Sequence, residues 1–216
     1  YYYKNIKKPT ISQFPKKLNI SLPARFIPKY LKVSYELYKL NLEEFIKYAK
    51  INNTNLILVT APINLEIAPK RVCEHTSTNT LFYLLNEMEK ELEKDNPLLV
   101  LQKLNKLKKD VISNPRFHYI RGKALASAGQ IMNAKDELQK VSAFDCELWR
   151  ATSVHNAIMK NLAAKYNILL VDFDEFVNRS YGKNTTFLND LFPQFVHYEK
   201  FAELLGAKLK RIMRLR

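Results

Sequence analysis

The sequence predicts an α/β protein with a mostly parallel sheet, interrupted by a helical insertion. Three observations carry that prediction. Two short apolar runs, Asn55-Leu-Ile-Leu-Val-Thr60 and Ile168-Leu-Leu-Val171, each follow or precede amphipathic helical patterns and end in polar residues or a proline. Runs of branched residues without polar alternation suit buried parallel strands covered on both faces. The long stretch between them carries helical periodicity. Only 4 of 216 residues are glycine, which argues against many tight β-hairpins and against glycine-rich phosphate loops.

Residues 1–33 are rich in Lys and Pro (Pro9, Pro15, Pro23, Pro28) and lack sustained periodicity, so they are expected to form an extended basic arm. From Ser34 the pattern changes. Leu37, Leu40, Leu42, Phe45, Ile46 and Ala49 fall near helical spacing and predict a helix to about Asn52. The first strand follows, and Ala61-Pro-Ile-Asn64 breaks it. Residues 65–75 read as a loop. Helical pattern resumes over Thr76–Lys94, and Asp95-Asn-Pro97 interrupts it, with Pro97 suited to a first helical turn. Leu98–Val111 is a further basic amphipathic helix, closed by Ser113-Asn-Pro115.

From Glu147 to Asn167, Leu148, Trp149, Val154, Ile158, Leu162 and Ala163 share one helical face. The second strand then ends at Asp172, in a loop carrying acids. A loop over Ser180–Asn184 leads through Phe187 to Asn189–His197. The final helix, Tyr198–Arg214, is expected to bury Phe201, Ala202, Leu205 and Leu209. The chain therefore divides into an arm (1–33), an α/β domain (34–75 and 147–216) and a helical insertion (76–146).

Net charge is +14 with a pI near 9.6, which favours anionic partners. The basic residues are spread along the chain and no nucleic-acid-binding signature accompanies them, so a solvated basic surface is expected and nucleic acid is disfavoured. Cys73 and Cys146 fit neither a disulfide framework nor a redox CxxC pair, although one disulfide between them is allowed. Compartment stays open between cytoplasm and periplasm. No apolar run is long enough to span a membrane. The chain starts at Tyr1-Tyr-Tyr without a signal peptide, which suggests a piece of something longer.

Two stretches resemble known families. Asn114-Pro-Arg-Phe-His-Tyr-Ile-Arg-Gly122 through Gly129 and Ala134 to Leu138 resembles one tetratricopeptide repeat, with small residues where two helices touch and Leu125 and Leu138 at large apolar positions. Val141 stands where that pattern prefers alanine. Repeats of this kind need neighbours to bury a continuous core, so the hairpin is expected to dock on Leu98–Val111 and on the main domain. The ending is similar to that of SGNH/GDSL-type hydrolases: a strand ending in Val-Asp, a loop with an acid and Pro193, then a helix with Phe-Ala-Glu-Leu-Leu. Leu56–Thr60 followed by Pro62-x-Asn64 looks like an earlier strand of the same sheet, and some bacterial members carry a comparable helical insertion.

That resemblance implies a flavodoxin-like three-layer α/β/α fold and a serine esterase or acetyl hydrolase acting on an acylated substrate such as a glycan. It implies no cofactor and no metal. With Pro193 aligned, the family's histidine falls on Phe192 and its aspartate on Asn189. Neither Gly-Asp-Ser nor Gly-x-Asn-Asp occurs, so the nucleophile is expected on a segment outside this chain. A non-catalytic scaffold, with the helical insertion binding a protein partner, is the companion expectation.

The candidate catalytic residues are Asp190 and His197, as a displaced acid/base pair. A helix-capping aspartate and a surface histidine are the alternative. Asn64 is the candidate substrate-binding residue, or else a loop-forming asparagine after Pro62. Asp172 and Asp174 at a strand end could bind a metal or substrate, or stay solvated. Cys73-Glu-His75 places a thiol beside a histidine, but adjacent residues do not make a nucleophile pair. His118 and His155 read as helical packing or surface residues. Trp149-Arg150 reads as a cation–π pair or as a half-buried anchor.

Overall fold

The computed structural model describes residues 27, 29–73, 78–107, 109–182 and 186–214. Most of the arm predicted over 1–33, His75 of the Cys73-Glu-His75 motif and part of the Ser180–Asn184 loop lie outside the described residues.

The first helix, α1, spans Lys29–Ile51 and so begins before the predicted Ser34. Leu31 and Tyr35 are fully buried and continue the stripe of Leu42 and Ile46 backwards at helical spacing, which explains the earlier start. Strand β1, Ile57–Val59, follows. It pairs in parallel with β2, Leu169–Val171, in the register Ile57↔Leu169, Leu58↔Leu170 and Val59↔Val171. These are the two predicted strands, and the expected parallel sheet consists of this pair among the described residues. Alternation along β1 sends neighbouring side chains to opposite faces. Leu58 joins a core with α1 and the helix before β2, whereas Val59 joins Phe173, Val177, Phe187 and Phe201.

Between the strands lie α2 (Asn79–Glu93), α3 (Pro97–Asn105), a 3₁₀ turn (Lys109–Ser113), α4 (Pro115–Ser127) and α5 (Ile131–Phe144). The starts of α2 and α4 follow capping residues: Thr78 Oγ1 accepts from Leu81 N, and Asn114 Oδ1 accepts from the amides of Arg116 and Phe117, with Pro115 in the first turn. The α4–α5 hairpin closes tightly at Gly122, where an added Cβ would lie 2.5 Å from Leu138 Cγ. Gly129, at φ +76°, makes the reversal between the two helices. The insertion has its own core, including Leu85, Met88, Val100, Leu104, Ile120, Ala124 and Leu138, and it docks on Ile63, Leu65 and Tyr181.

Where the insertion leaves and rejoins the α/β part, the two crossing segments are tied together. Asp145 accepts from the amides of Lys70, Arg71 and Glu147, and Cys146 N donates to Arg71 O. Cys73 and Cys146 form the disulfide that composition merely allowed, with Cα atoms 5.5 Å apart.

Helix α6 runs over Ser153–Tyr166, starting later than Glu147. Thr152 and His155 cap one another and fix that start, so Leu148 and Trp149 precede the helix instead of sharing its face. After β2, the loop expected to carry acids is a short helix, α7 (Phe173–Asn178), because Asp172 caps it by accepting from Glu175 N. Helix α8 is Phe195–Arg214. It packs through Phe201 against Phe173, with ring centroids 4.2 Å apart. Phe201 and Leu205 are half-buried, but Ala202 and Leu209 are exposed, against the sequence expectation. A sheet of two three-residue strands is too narrow to cover the whole apolar stripe of this helix. No helix among the described residues is long and apolar enough to cross a membrane.

Candidate functional site

The carboxyl ends of β1 and β2 carry a dense polar network, the position where open parallel sheets usually place ligands. Thr60, directly after β1, donates through Oγ1 to Asp172 Oδ1 at 2.8 Å and accepts from Asp174 N at 3.0 Å. Asp172 also pairs with Lys160 at 2.6 Å. Burial works against its ionised form, yet the bonds from Lys160 and Thr60 outweigh this and hold the carboxyl below its usual value. Asp174 is buried rather than solvated, and accepts from Ile63 N at 2.8 Å and Asn178 Nδ2 at 2.9 Å. Burial, aided by the charge of Asp172, pushes its carboxyl up to about 6. Asn156 brackets the Ala61 residue, accepting from its N–H at 3.1 Å and donating to its carbonyl at 2.8 Å. These groups lock the two strand ends together.

One layer further out lie the candidates singled out from sequence. Asn64 is buried; its Nδ2 donates to Asn189 O at 3.1 Å and its Oδ1 accepts from Glu66 N at 3.0 Å. Its amide therefore ties two loops together, which is the loop-forming role. Arg150 Nη1 donates to Asn64 O at 3.0 Å. Burial lowers the Arg150 pKa, while the charges of Asp145 and Asp190 oppose that fall. Hydrogen bonds thus link Asn64, Arg150 and Asn189 into one edge, and the charge of Asp190 acts on Arg150.

His197 follows the Asn189–Asp190 stretch in the chain. It lies in the first turn of α8, its backbone N–H donates to Gln194 O at 2.9 Å, and its ring meets that of Phe176 edge-on at 6.5 Å. Partial burial and the nearby Lys200 lower its pKa, so the imidazole is neutral at pH 7 and able to accept a proton. Asp190 acts by its charge on Arg150, while the His197 ring contacts Phe176. Asn189 accepts through Oδ1 from the amides of Leu191 and Phe192 and shapes the loop. Phe192 is 56% exposed.

His118 and His155 are packing groups, one of the two roles their helical positions suggested. His118 bonds Glu137 through Nδ1 at 2.6 Å and the Ile112 carbonyl through Nε2 at 2.7 Å, inside the insertion. His155 accepts from Thr152 N through Nδ1, and burial pulls its pKa down to about 4. Trp149 and Arg150 do contact one another, the guanidinium carbon lying 5.1 Å from the ring centroid, and Lys70 Nζ sits 3.9 Å from the same centroid. Sequence reasoning weighed Arg150 only as a neighbour of Trp149 and passed over Lys70, Thr60 and Asn156. Asn156 had a readable signal, being a lone amide between the apolar positions Val154 and Ile158 of α6. Nothing local links Lys70 to Trp149.

Among the described residues no group of three or more His, Cys, Asp or Glu side chains could hold a metal ion. A cavity of about 420 Å³ lies at the opposite end of the strands, lined by Thr54–Ile57, Asn167–Leu169 and Leu209. Lys50 is its one charged lining group, so it offers little chemistry and belongs to the packing under α1. Comparison of the chain with protein families, with curated proteins and with solved structures gives no match.

Proposed function

We propose that this chain forms the C-terminal part of an SGNH-like hydrolase domain with a three-layer α/β/α arrangement, acting on ester or acetyl groups such as those carried by a glycan. The observation that carries the reading is the hydrogen-bonded edge of Asn64, Arg150 and Asn189 beyond the carboxyl end of the parallel pair, with the charge of Asp190 acting on Arg150. Asn64 and Arg150 organise the substrate edge, and the neutral His197 on the adjoining helix is the proton acceptor. The nucleophilic serine and the oxyanion donors come from outside residues 1–216, because no Gly-Asp-Ser occurs within them.

Turnover of p-nitrophenyl acetate by the full-length protein tests this. His197→Ala is expected to lower kcat by about 100-fold or more. Unchanged turnover removes His197 from the mechanism, and a full-length protein without any turnover sinks the hydrolase reading.

The exposed Phe192 favours a second reading, a non-catalytic relative in which the sheet is a scaffold and the helical insertion binds a protein. Phe82 and Tyr83 on α2 and Leu98 and Leu99 on α3 are the exposed apolar side chains such a partner would cover. Partner capture that survives removal of the whole insertion, residues 76–146, counts against that surface.

A further inference from the structure

The crossing where the insertion rejoins the α/β part holds two donors without acceptors. Trp149 Nε1 and Arg150 Nε are both buried and neither has a hydrogen-bond partner. Both groups can only donate, and burying a donor without an acceptor is unfavourable. Two such donors on adjacent residues call for an acceptor that brings its own lone pairs. The surrounding charge specifies what kind. The Arg150 guanidinium and the Lys70 ammonium both lie against the Trp149 ring, at 5.1 and 3.9 Å from its centroid. Of the carboxylates acting on Arg150, that of Asp145 is already committed to three backbone amides, and Asp190 is exposed. Neither is hydrogen-bonded to the guanidinium.

Arg150 is held in place from its other end, through Nη1 to the Asn64 carbonyl. A guanidinium fixed at one nitrogen with a second N–H unmet is preorganised for a planar oxyanion. From these contacts we infer that Trp149, Arg150 and Lys70 form a binding site for an oxyanion, a carboxylate or a phosphate group, carried by the molecule that occupies the neighbouring Asn64–Asn189 edge. This deepens the proposed function by making the substrate acidic, and it is tested by binding without turnover.

Trp149 is the sole tryptophan in the chain, so its fluorescence reports on the site directly. The full chain is titrated with glucuronate in one arm and inorganic phosphate in the other, against sodium chloride at matched ionic strength. A saturable change with glucuronate alone assigns a carboxylate site, and one with phosphate assigns a phosphate site. Arg150→Gln is expected to weaken that binding by about tenfold or more. Lys70→Gln, on an exposed side chain whose loss leaves the fold intact, is expected to weaken it by about threefold. The inference is overturned if neither anion gives a saturable change beyond that of chloride, or if both variants titrate like the wild type. Should Arg150→Gln lose its thermal transition, the Lys70→Gln titration alone decides. Binding without ester turnover leaves the oxyanion site standing and removes only the hydrolase reading.

Discussion

The helical insertion and the α/β part are held together by different means. In the insertion, α2 to α5 bury a broad apolar interface whose partners are near in sequence, and its principal buried polar pair, His118–Glu137, is internal to the α4–α5 hairpin. In the α/β part, three-residue strands leave little apolar area. Their alignment depends on ties between distant residues: Thr60 to Asp172, 112 positions apart, Ile63 to Asp174, 111 apart, and Ala61 to Asn156, 95 apart. Apolar contact is non-directional and tolerates small shifts, whereas hydrogen bonds at buried strand ends fix register and are costly to break. The insertion is thus governed by shape and by its fastening, the α/β part by polar groups and their protonation.

The largest expected effect breaks the fastening. In the chain-entropy picture, a disulfide closing a loop of 73 residues contributes about 4 kcal/mol. Cys73→Ser is expected to lower urea-unfolding stability by about that amount, and reductant should bring the wild type to the same midpoint. A wild-type midpoint indifferent to reductant would remove the disulfide from the account.

Next comes the α/β part, probed by pH. Asp174 is raised from 3.8 to about 6, so the folded state holds its proton more tightly than the unfolded chain does. Its contribution is therefore unfavourable at neutral pH and disappears as pH falls from about 6 to 4. At pH 7 that cost is about 3 kcal/mol for a shift of about two units. Asp174→Asn keeps an acceptor for Ile63 and Asn178 and is expected to stabilise the protein at pH 7 by about 1–3 kcal/mol.

The same variant exposes an opposing group. His155 is lowered from 6.5 to about 4, so its contribution makes stability fall on acidification through that window. In the wild type, Asp174 offsets this loss between pH 6 and 4. Thermal unfolding of Asp174→Asn should show a steeper acid loss than the wild type over that range. Parallel pH profiles for the two proteins would refute the assignment of these shifts.

The smallest effect tests close packing in the insertion. Gly122→Ala pushes a methyl group into Leu138, which costs about 1–3 kcal/mol, while the better helix propensity of alanine returns about 1 kcal/mol. A net loss of about 1 kcal/mol is expected by denaturant titration. A more stable variant would show that the hairpin relaxes around this contact.

The sequence by itself determined the two buried strands, the helical stretch between them and the small residues at the α4–α5 contact. Each of these is written in local periodicity or residue size, which a single segment expresses without its neighbours. It also singled out Asn64 and Asp190 as candidate site residues. Tertiary structure alone decided that Asp174 is buried against Ile63 with a raised pKa. It likewise decided that Cys73 meets Cys146 and that Lys70 lies against Trp149. Those facts depend on chain crossings more than 70 residues apart, where burial and the direction of a side chain set its chemistry.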